Sequence, residues 1–362
     1  MNKEIISSKQ GISLIVLFIM GSATVISPGV EAKQDVWLSD LFALLLALPV
    51  ILIYARILSL YPNKDLFDIL IKVFGKISGS TICLLYIWYS FHLGAIIMRN
   101  FSEFIHLVSL PRTPQLIIVL FTGLICIWFV RAGVEVIGRW AGFFLPIILF
   151  IVICTVILTF TQADLDNLRP VLYNGFKPIF KGAYLLFSFP LGETVIFMLV
   201  IWSSDIKVKT YKVFTLGLIS GTAILLTLSV RNILVLGVET SSTLYFPTYS
   251  AVSMTKIGTF LERIEIVVAV VFILTGIAKI GICLYGACNG IVKVFKFTSN
   301  KEITAPIGLL MMSFSCFMYS STMEMFEWAS KVYPYYAIPF QIILPLIIWI
   351  TAEIKLYLSK HK

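Results

Sequence analysis

The stretch GAYLLFSFPLGETVIFMLVIW, residues 182–202, is apolar over most of its length but interrupted at its centre. A bilayer core of about 30 Å demands about 20 mostly apolar residues per helix, and this stretch is long enough. Ser188, Pro190, Gly192 and Glu193 fall in its middle. Proline removes a backbone donor and clashes with the preceding turn, and glycine lowers helix propensity by about 1 kcal/mol. In lipid every freed backbone group needs a partner, so such a break survives only where protein buries it or a cavity wets it. A second break stands near the start of the chain. The run ISLIVLFIMGSATVISPG, residues 12–29, turns small and polar at Gly21, Ser22, Ala23 and Thr24, about halfway through a membrane.

The rest of the chain has the same character. Of its 362 residues 59% are hydrophobic and only 13% charged, with a mean hydropathy of +0.97. A soluble domain carries about 25% charged residues, so too few are present to solvate a protein of this size. Apolar runs near 11–29, 38–60, 79–101, 115–132, 141–160, 181–202, 211–236, 263–289, 304–321 and 335–357 predict an all-α polytopic membrane protein of about ten transmembrane helices. Trp37, Trp88, Trp202, Trp328 and Trp349 lie near the ends of these runs or within them, as an interfacial aromatic belt would place some of them. The whole chain, 1–362, reads as one transmembrane domain. The two breaks open the first and sixth spans, the corresponding members of an 11–160 half and a 181–357 half. An odd number of spans per half turns the halves over relative to each other, giving an inverted five-plus-five repeat with helices 1 and 6 interrupted.

Orientation follows from Lys and Arg in the short loops. With the N-terminus inside, Arg56, Lys64, Lys72, Lys76, Arg131, Arg139, Lys207, Lys209, Lys212, Lys293, Lys296 and Lys301 are cytoplasmic. Lys33, Arg112, Arg169, Lys177, Lys181, Lys256, Arg263 and Lys331 face outward. The inner set, with the termini, is roughly twice the outer one, so both termini are expected in the cytoplasm. Residues 64–77, KDLFDILIKVFGKI, carry Leu66, Leu70, Val73, Phe74 and Ile77 at helical spacing between charges. They predict an amphipathic helix on the cytoplasmic surface. Residues 241–257 are moderately apolar, hold Pro247, and are expected to cap the outer face with short helices.

Composition also excludes chemistry. The chain has no HExxH, GxSxG or phosphate-binding loop. With three histidines and no CxxC pair, no metal site and no cofactor is indicated, and the six cysteines all fall in apolar runs as small packing residues. The net charge of +9 belongs to cytoplasmic loops and not to a nucleic-acid surface. Residues 1–30 resemble a signal peptide superficially but lack an A-x-A-like site, so they read as a retained first helix.

The remaining informative residues are charges inside the spans, where each is costly. Glu193 stands beside the sixth-span break, placed to hold a ligand ammonium, a proton or loosened backbone. Lys279 lies midway along span eight. Its amine either replaces a coupling cation against the first break, pairs with Glu193, or snorkels toward the cytoplasm. His92 sits near the middle of span three and reads as a core residue, with a role in the pocket as the alternative. Tyr86 and Tyr89 on that helix either line a cavity or pack. Arg99 and Glu103, four residues apart near its outer end, are expected to form a surface pair. Glu262, Arg263 and Glu265 are expected at the interface. Half-helix amino ends offer N–H donors and a partial positive charge to a carboxylate, and the opposing carboxyl ends suit an ammonium group, so an amino-acid-like zwitterion matches both.

Several segments together resemble the B-subunit family of bacterial spore germinant receptors, a branch of the amino acid–polyamine–organocation (APC) transporter superfamily. They are KQDVWLS at 33–39, LSLYPNKDLFDILIKVFGK at 58–76, LPRTP at 110–114, RAGVEVIGRWAGFFLP at 131–146, LRPVLYNGFKPIFKGA at 168–183, the FPLGE break, and YFPTYSAVSMTKIGTFLERIE at 245–265. The resemblance implies a LeuT-like fold in the inner membrane of a dormant spore. It implies an A-type membrane subunit and a C-type lipoprotein subunit as partners, and a small nutrient, often an amino acid, as the trigger of germination. It also implies a ligand site where helices one, three, six and eight meet. In this sequence that corresponds to Gly21, Ser22, Ala23 and Thr24, and to Ser188, Phe189, Pro190, Gly192 and Glu193, with Lys279 a weaker carry-over.

Overall fold

The computed structural model describes residues 6–200, 206–255 and 263–360. The expected end of span six at 202, and Lys256 and Glu262 of the outer loop, lie outside the described residues.

The first span is two short helices. Helix α1, Ser8–Met20, starts at a capping box in which Ser7 and Gln10 satisfy each other's backbone donors, and it stops at Gly21. Helix α2, Ala23–Ile26, continues for one turn and ends at Ser27, which takes a left-handed conformation with φ 50°. A 3₁₀ turn over Val30–Asp35 leads into α3, Val36–Leu60. Helix α4, Leu66–Phe74, is capped by Asp65 and ended by Gly75 at φ 81°, a backbone conformation that favours glycine. It is shorter than the 64–77 segment, because Ile77 already belongs to α5, Lys76–Phe104. The apolar face of α4 (Leu66, Phe67, Ile69, Leu70, Val73) is buried against protein, with α5 its main neighbour. Helices α6, Gln115–Arg131, and α7, Val134–Thr159, complete the first half.

The second half repeats this plan. Helix α8, Phe176–Leu186, gives way to irregular turns over residues 187–196, with Phe189 extended at φ −144°, before α9, Phe197–Val200. Then come α10, Ile206–Thr243, and α11, Pro247–Ser253, which lies in the segment expected to cap the outer face. Helix α12, Glu265–Phe295, is followed by α13, Asn300–Phe317, and by α14, Thr322–Lys331, bent 101° from it. The last span is α15, Tyr333–Ile338, a single π turn at Pro339–Ile343, and α16, Leu344–Lys360.

Among the described residues, seven helical stretches are long and apolar enough to cross a bilayer, and the α13–α14 pair makes an eighth. Ser8–Met20 and Gln115–Arg131 are shorter apolar helices and supply the two remaining spans. The packing has the symmetry of an inverted repeat. Helix α1 packs on α10 as α8 packs on α3, while the corresponding pairs α3 and α10, α5 and α12, and α6 and α13 pack on each other. The interrupted sixth span is the central one: 89% of its most apolar window is buried, against 22% for α7. Helix α7 instead exposes Phe143, Phe150 and Ile157, as a lipid-facing helix must. The basic inner loops gather at one end. There Arg56 pairs with Glu353 at 2.6 Å and the Arg131 Nε donates to the Lys301 carbonyl at 3.2 Å.

Candidate functional site

Both breaks converge on one buried ion pair. Lys279 Nζ of α12 lies 2.6 Å from Glu193 Oε2, and both side chains are 0% exposed. The second carboxylate oxygen accepts the Tyr333 hydroxyl proton at 2.5 Å. The ammonium also stands over the rings of Phe18 and Phe189, 4.8 and 4.7 Å from their centroids, which adds cation–π attraction in a desolvated place. Of the three options open for Lys279, pairing with Glu193 is therefore the geometry observed.

The first break makes room for this lysine. A Cβ on Gly21 would lie 2.5 Å from Lys279 Cδ and 2.8 Å from the Phe18 carbonyl oxygen, so the lysine stem crosses the chain where that methyl would be. The freed Gly21 carbonyl accepts the Thr24 hydroxyl at 3.1 Å. Ser22 and Ala23 are buried beside it, and the Ser22 hydroxyl has no partner among the described residues.

Another helix repairs the second break. Gln341, in the π turn of the last span, donates from Nε2 to the Ser188 carbonyl at 2.8 Å and to the Tyr89 hydroxyl at 2.9 Å. Tyr54 of α3 donates to the Gln341 carbonyl at 2.5 Å. Gly192 is needed because a Cβ there would stand 2.3 Å from Gln341 Oε1. Tyr89 and Tyr333 touch through their hydroxyls at 3.3 Å, which joins this network to Glu193. Tyr86 donates to the Phe340 carbonyl at 3.1 Å and supports the π turn without reaching the carboxylate. Backbone loosened at mid-membrane is thereby satisfied inside the protein, as lipid requires.

A cavity of about 260 Å³ opens above the pair, toward the side that carries residues 242–245 and α14. This is slightly below the usual range of small-molecule sites, about 300–1,000 Å³, and suits a ligand of amino-acid size. Glu193, Phe189 and Tyr333 line it, with Ile96 and Asn100 of α5 and Trp328 of α14. From the first span it is Ile26, Ser27 and Pro28 that line it, not residues 21–24. Ser188, Pro190 and Gly192 shape the turn behind the wall. His92 stands apart in an aromatic nest, stacked on Trp88 at 5.3 Å and edge-on to Trp328 and Tyr336.

Other charges differ from expectation. Arg99 and Glu103 do pair, at 3.5 Å, but both are only 8% exposed and not on the surface. Glu103 also accepts from Gln115 at 2.6 Å and from Thr322, and Arg99 donates to the Cys316 carbonyl at 3.3 Å, so the pair stitches α5 to three neighbouring elements. At the inner end, Lys293 lies 2.5 Å from Asp65 and 2.6 Å from Asp68. Asn289 bridges the Asp65 carboxylate and the Leu199 carbonyl, each at 2.9 Å. This bolts α12 to α4 and α9. Burial pushes the Asp65 carboxyl up from its ordinary range, and the Lys293 charge opposes the shift. Gln341 and Tyr333 carried a weak signal, an amide in an apolar run and the Tyr-rich segment YPYY at 333–336. Asp65–Lys293 had none, because its partners are far apart in the chain.

The family described as spore germination protein matches residues 5–323 of this chain. Spore germination protein KB of Bacillus subtilis strain 168 is 28% identical over 357 residues, covering 97% of this chain and 95% of that protein. Spore germination protein B2 of the same strain is 25% identical over 369 residues, with 96% and 97% covered. Among solved structures, MhsT in complex with L-phenylalanine aligns with a TM-score of 0.70 at 12% identity, covering 96% of this chain and 89% of that one. Mhp1, a nucleobase-cation-symport-1 family transporter with bromovinylhydantoin bound, aligns at 0.65 and 14% identity, covering 96% and 80%. At such identities the likeness is one of fold, the fold of these transporters.

Proposed function

The chain belongs to the spore germination protein family, and on that premise we propose that it is a nutrient germinant receptor subunit which senses a small amino-acid-like ligand at the Glu193–Lys279 pair. The observation that carries this reading is the outward cavity ending on a buried ion pair between two broken helices. The pair presents one carboxylate and one ammonium, the two groups a zwitterion carries in reverse. A ligand ammonium entering the cavity meets Glu193, Phe189 and Tyr333 and competes with Lys279 for the carboxylate. The displaced Lys279 is then free to receive the ligand's own carboxylate. Phe189, Ile96 and Trp328 offer an apolar wall to its side chain. Because Lys279 spans from α12 to the first break, its displacement shifts both halves of the bundle together.

In this reading the integral membrane protein works in the inner membrane of the spore, beside an A-type membrane subunit and a C-type lipoprotein subunit. A proton-coupled amino acid permease is the second reading, favoured by the transporter fold; a ligand-gated ion or water channel is the third. Reconstitution of the purified chain with a panel of radiolabelled amino acids separates them. Saturable binding without concentrative uptake is expected, and robust counterflow of a bound amino acid would sink the pure-receptor reading.

The inner bolt gives a further expected result. Lys293→Met leaves Asp65 buried without its cation, and losing only about 1.4 kcal/mol of that bolt makes the opened state tenfold more populated. Cys288, fully buried five residues before Lys293 on the same helix, reports the opening. In a variant with Cys288 as its single cysteine, labelling by an impermeant maleimide from the cytoplasmic side should rise about tenfold or more. An unchanged rate would mean that the inner end is closed by packing alone.

A further inference from the structure

Asp40, near the outer start of α3, is fully buried, and neither carboxylate oxygen has a well-formed hydrogen bond among the described residues. The Ser39 hydroxyl beside it is likewise buried and unpartnered. Ser229 of α10 is the one side chain close enough among the described residues to offer the carboxyl a weak hydrogen bond.

Among the described residues, no ion pair includes Asp40. Glu31 and Lys181 pair with each other at 3.0 Å. Asp35 accepts the Leu172 N–H at 3.0 Å. Arg231, two residues beyond Ser229 on α10, donates from Nε to Asn232 at 3.0 Å; its two terminal nitrogens are buried without partners among the described residues, and no ion pair joins them to Asp40. Lys33 and Lys177 are exposed. An ionised carboxylate here would have given up its water for no counter-charge, a costly state for a buried acid.

The surroundings are also tight. A Cβ on Gly29 would lie 3.0 Å from Asp40 Oδ1, and one on Gly182 would lie 2.6 Å from the Ser39 hydroxyl oxygen. Backbone thus stands close against this side of the carboxyl, and a proton there needs no added space. Gly29 belongs to the turn after α2, and its neighbours Ser27, Pro28 and Val30 line the cavity. One short turn therefore covers the carboxyl on one side and walls the cavity on the other.

We propose that Asp40 is a proton-binding site, whose carboxyl carries a proton inside the bundle and exchanges it with water when the Ser27–Val30 turn moves. Opening would transfer the carboxyl proton to water and leave a carboxylate exposed to solvent; closing takes one proton back. Proton exchange is thereby tied to the shape of the cavity, whatever the cavity binds.

Infrared spectra of the full-length chain in liposomes at neutral pH test this without any ligand. A carbonyl stretch of a protonated, weakly hydrogen-bonded carboxylic acid is expected, lost in Asp40→Asn, which keeps the shape of the neutral acid. In Gly29→Ala the same band should be displaced, because the added methyl presses on Oδ1. The proposal is overturned if Asp40→Asn leaves the spectrum unchanged, or if ²²Na⁺ binds saturably and Asp40→Asn abolishes it. Failure of the germinant reading would leave these spectra as they are, so the two proposals fall separately.

Discussion

Lys279→Met is expected to destabilise the protein by about 3–5 kcal/mol, because it strips a fully buried carboxylate of its partner. Lys279 and Glu193 are both 0% exposed and 2.6 Å apart. What remains after the substitution is Glu193 with one hydrogen bond from Tyr333 and no counter-charge. Glu193→Gln has the mirror effect, leaving an ammonium between Phe18 and Phe189 with only the faces of the two rings to stabilise it. The informative variant is the double one. Replacing a whole buried ion pair by neutral groups of similar size is often neutral or stabilising, by about 1–4 kcal/mol. Thermal unfolding in detergent should therefore show Glu193→Gln with Lys279→Met close to the parent and above either single variant. Its ligand response should stay lost, since both groups proposed to read the zwitterion are gone. A double variant as unstable as Lys279→Met alone would mean that the single loss came from packing of the lysine stem and not from the orphaned charge. Spores that respond normally with either single change, at unchanged protein level, would place the ligand elsewhere.

Gly21→Leu is expected to abolish the response as well, through space and not charge. Any side chain at that position starts with a Cβ 2.5 Å from Lys279 Cδ and 2.8 Å from the Phe18 carbonyl oxygen. The clash with the lysine is relieved by pushing the Lys279 stem off the first break and its ammonium off Glu193, and the clash with the carbonyl only by shifting the backbone of the break itself. Overpacking of this kind costs about 1–3 kcal/mol, and a leucine brings more volume than an alanine. The expected order of response is therefore parent, Gly21→Ala, Gly21→Leu, with the last at background. Gly142→Ala is the control. It lies inside α7, where an added Cβ meets nothing closer than 3.9 Å, so it should be tolerated and gain up to about 1 kcal/mol of helix propensity. If Gly21→Leu responds like the control, the lysine does not need the break.

Much of this protein was legible before any helix was placed. Apolar runs are local statements about transfer into lipid, and they predicted the spans to within several residues. The breaks were legible for the same reason: a proline or glycine at mid-span disturbs its own backbone whatever surrounds it. The span of Glu193 and that of Lys279 were equally clear, since a charge among apolar residues stands out in a linear text. Their meeting was only one of three options, because it depends on how α12 is rotated and how far it is offset from the sixth span. Arg99 and Glu103 show the limit of local rules. Four-residue spacing correctly made them neighbours on α5, but α6, α13 and α14 close over them and turn a surface pair into a buried one. Asp40 went unmarked because it stands at the start of its run, where a charge normally reaches water; the turn at Gly29 and the approach of α8 and α10 remove that water. The two interruptions and the intramembrane charges were thus determined by the sequence, through the energetics of single residues in lipid. The partners of those charges, the Gln341 repair and the position of the cavity were decided only by the tertiary structure, because they depend on helix rotations and crossings that no run of neighbouring residues encodes.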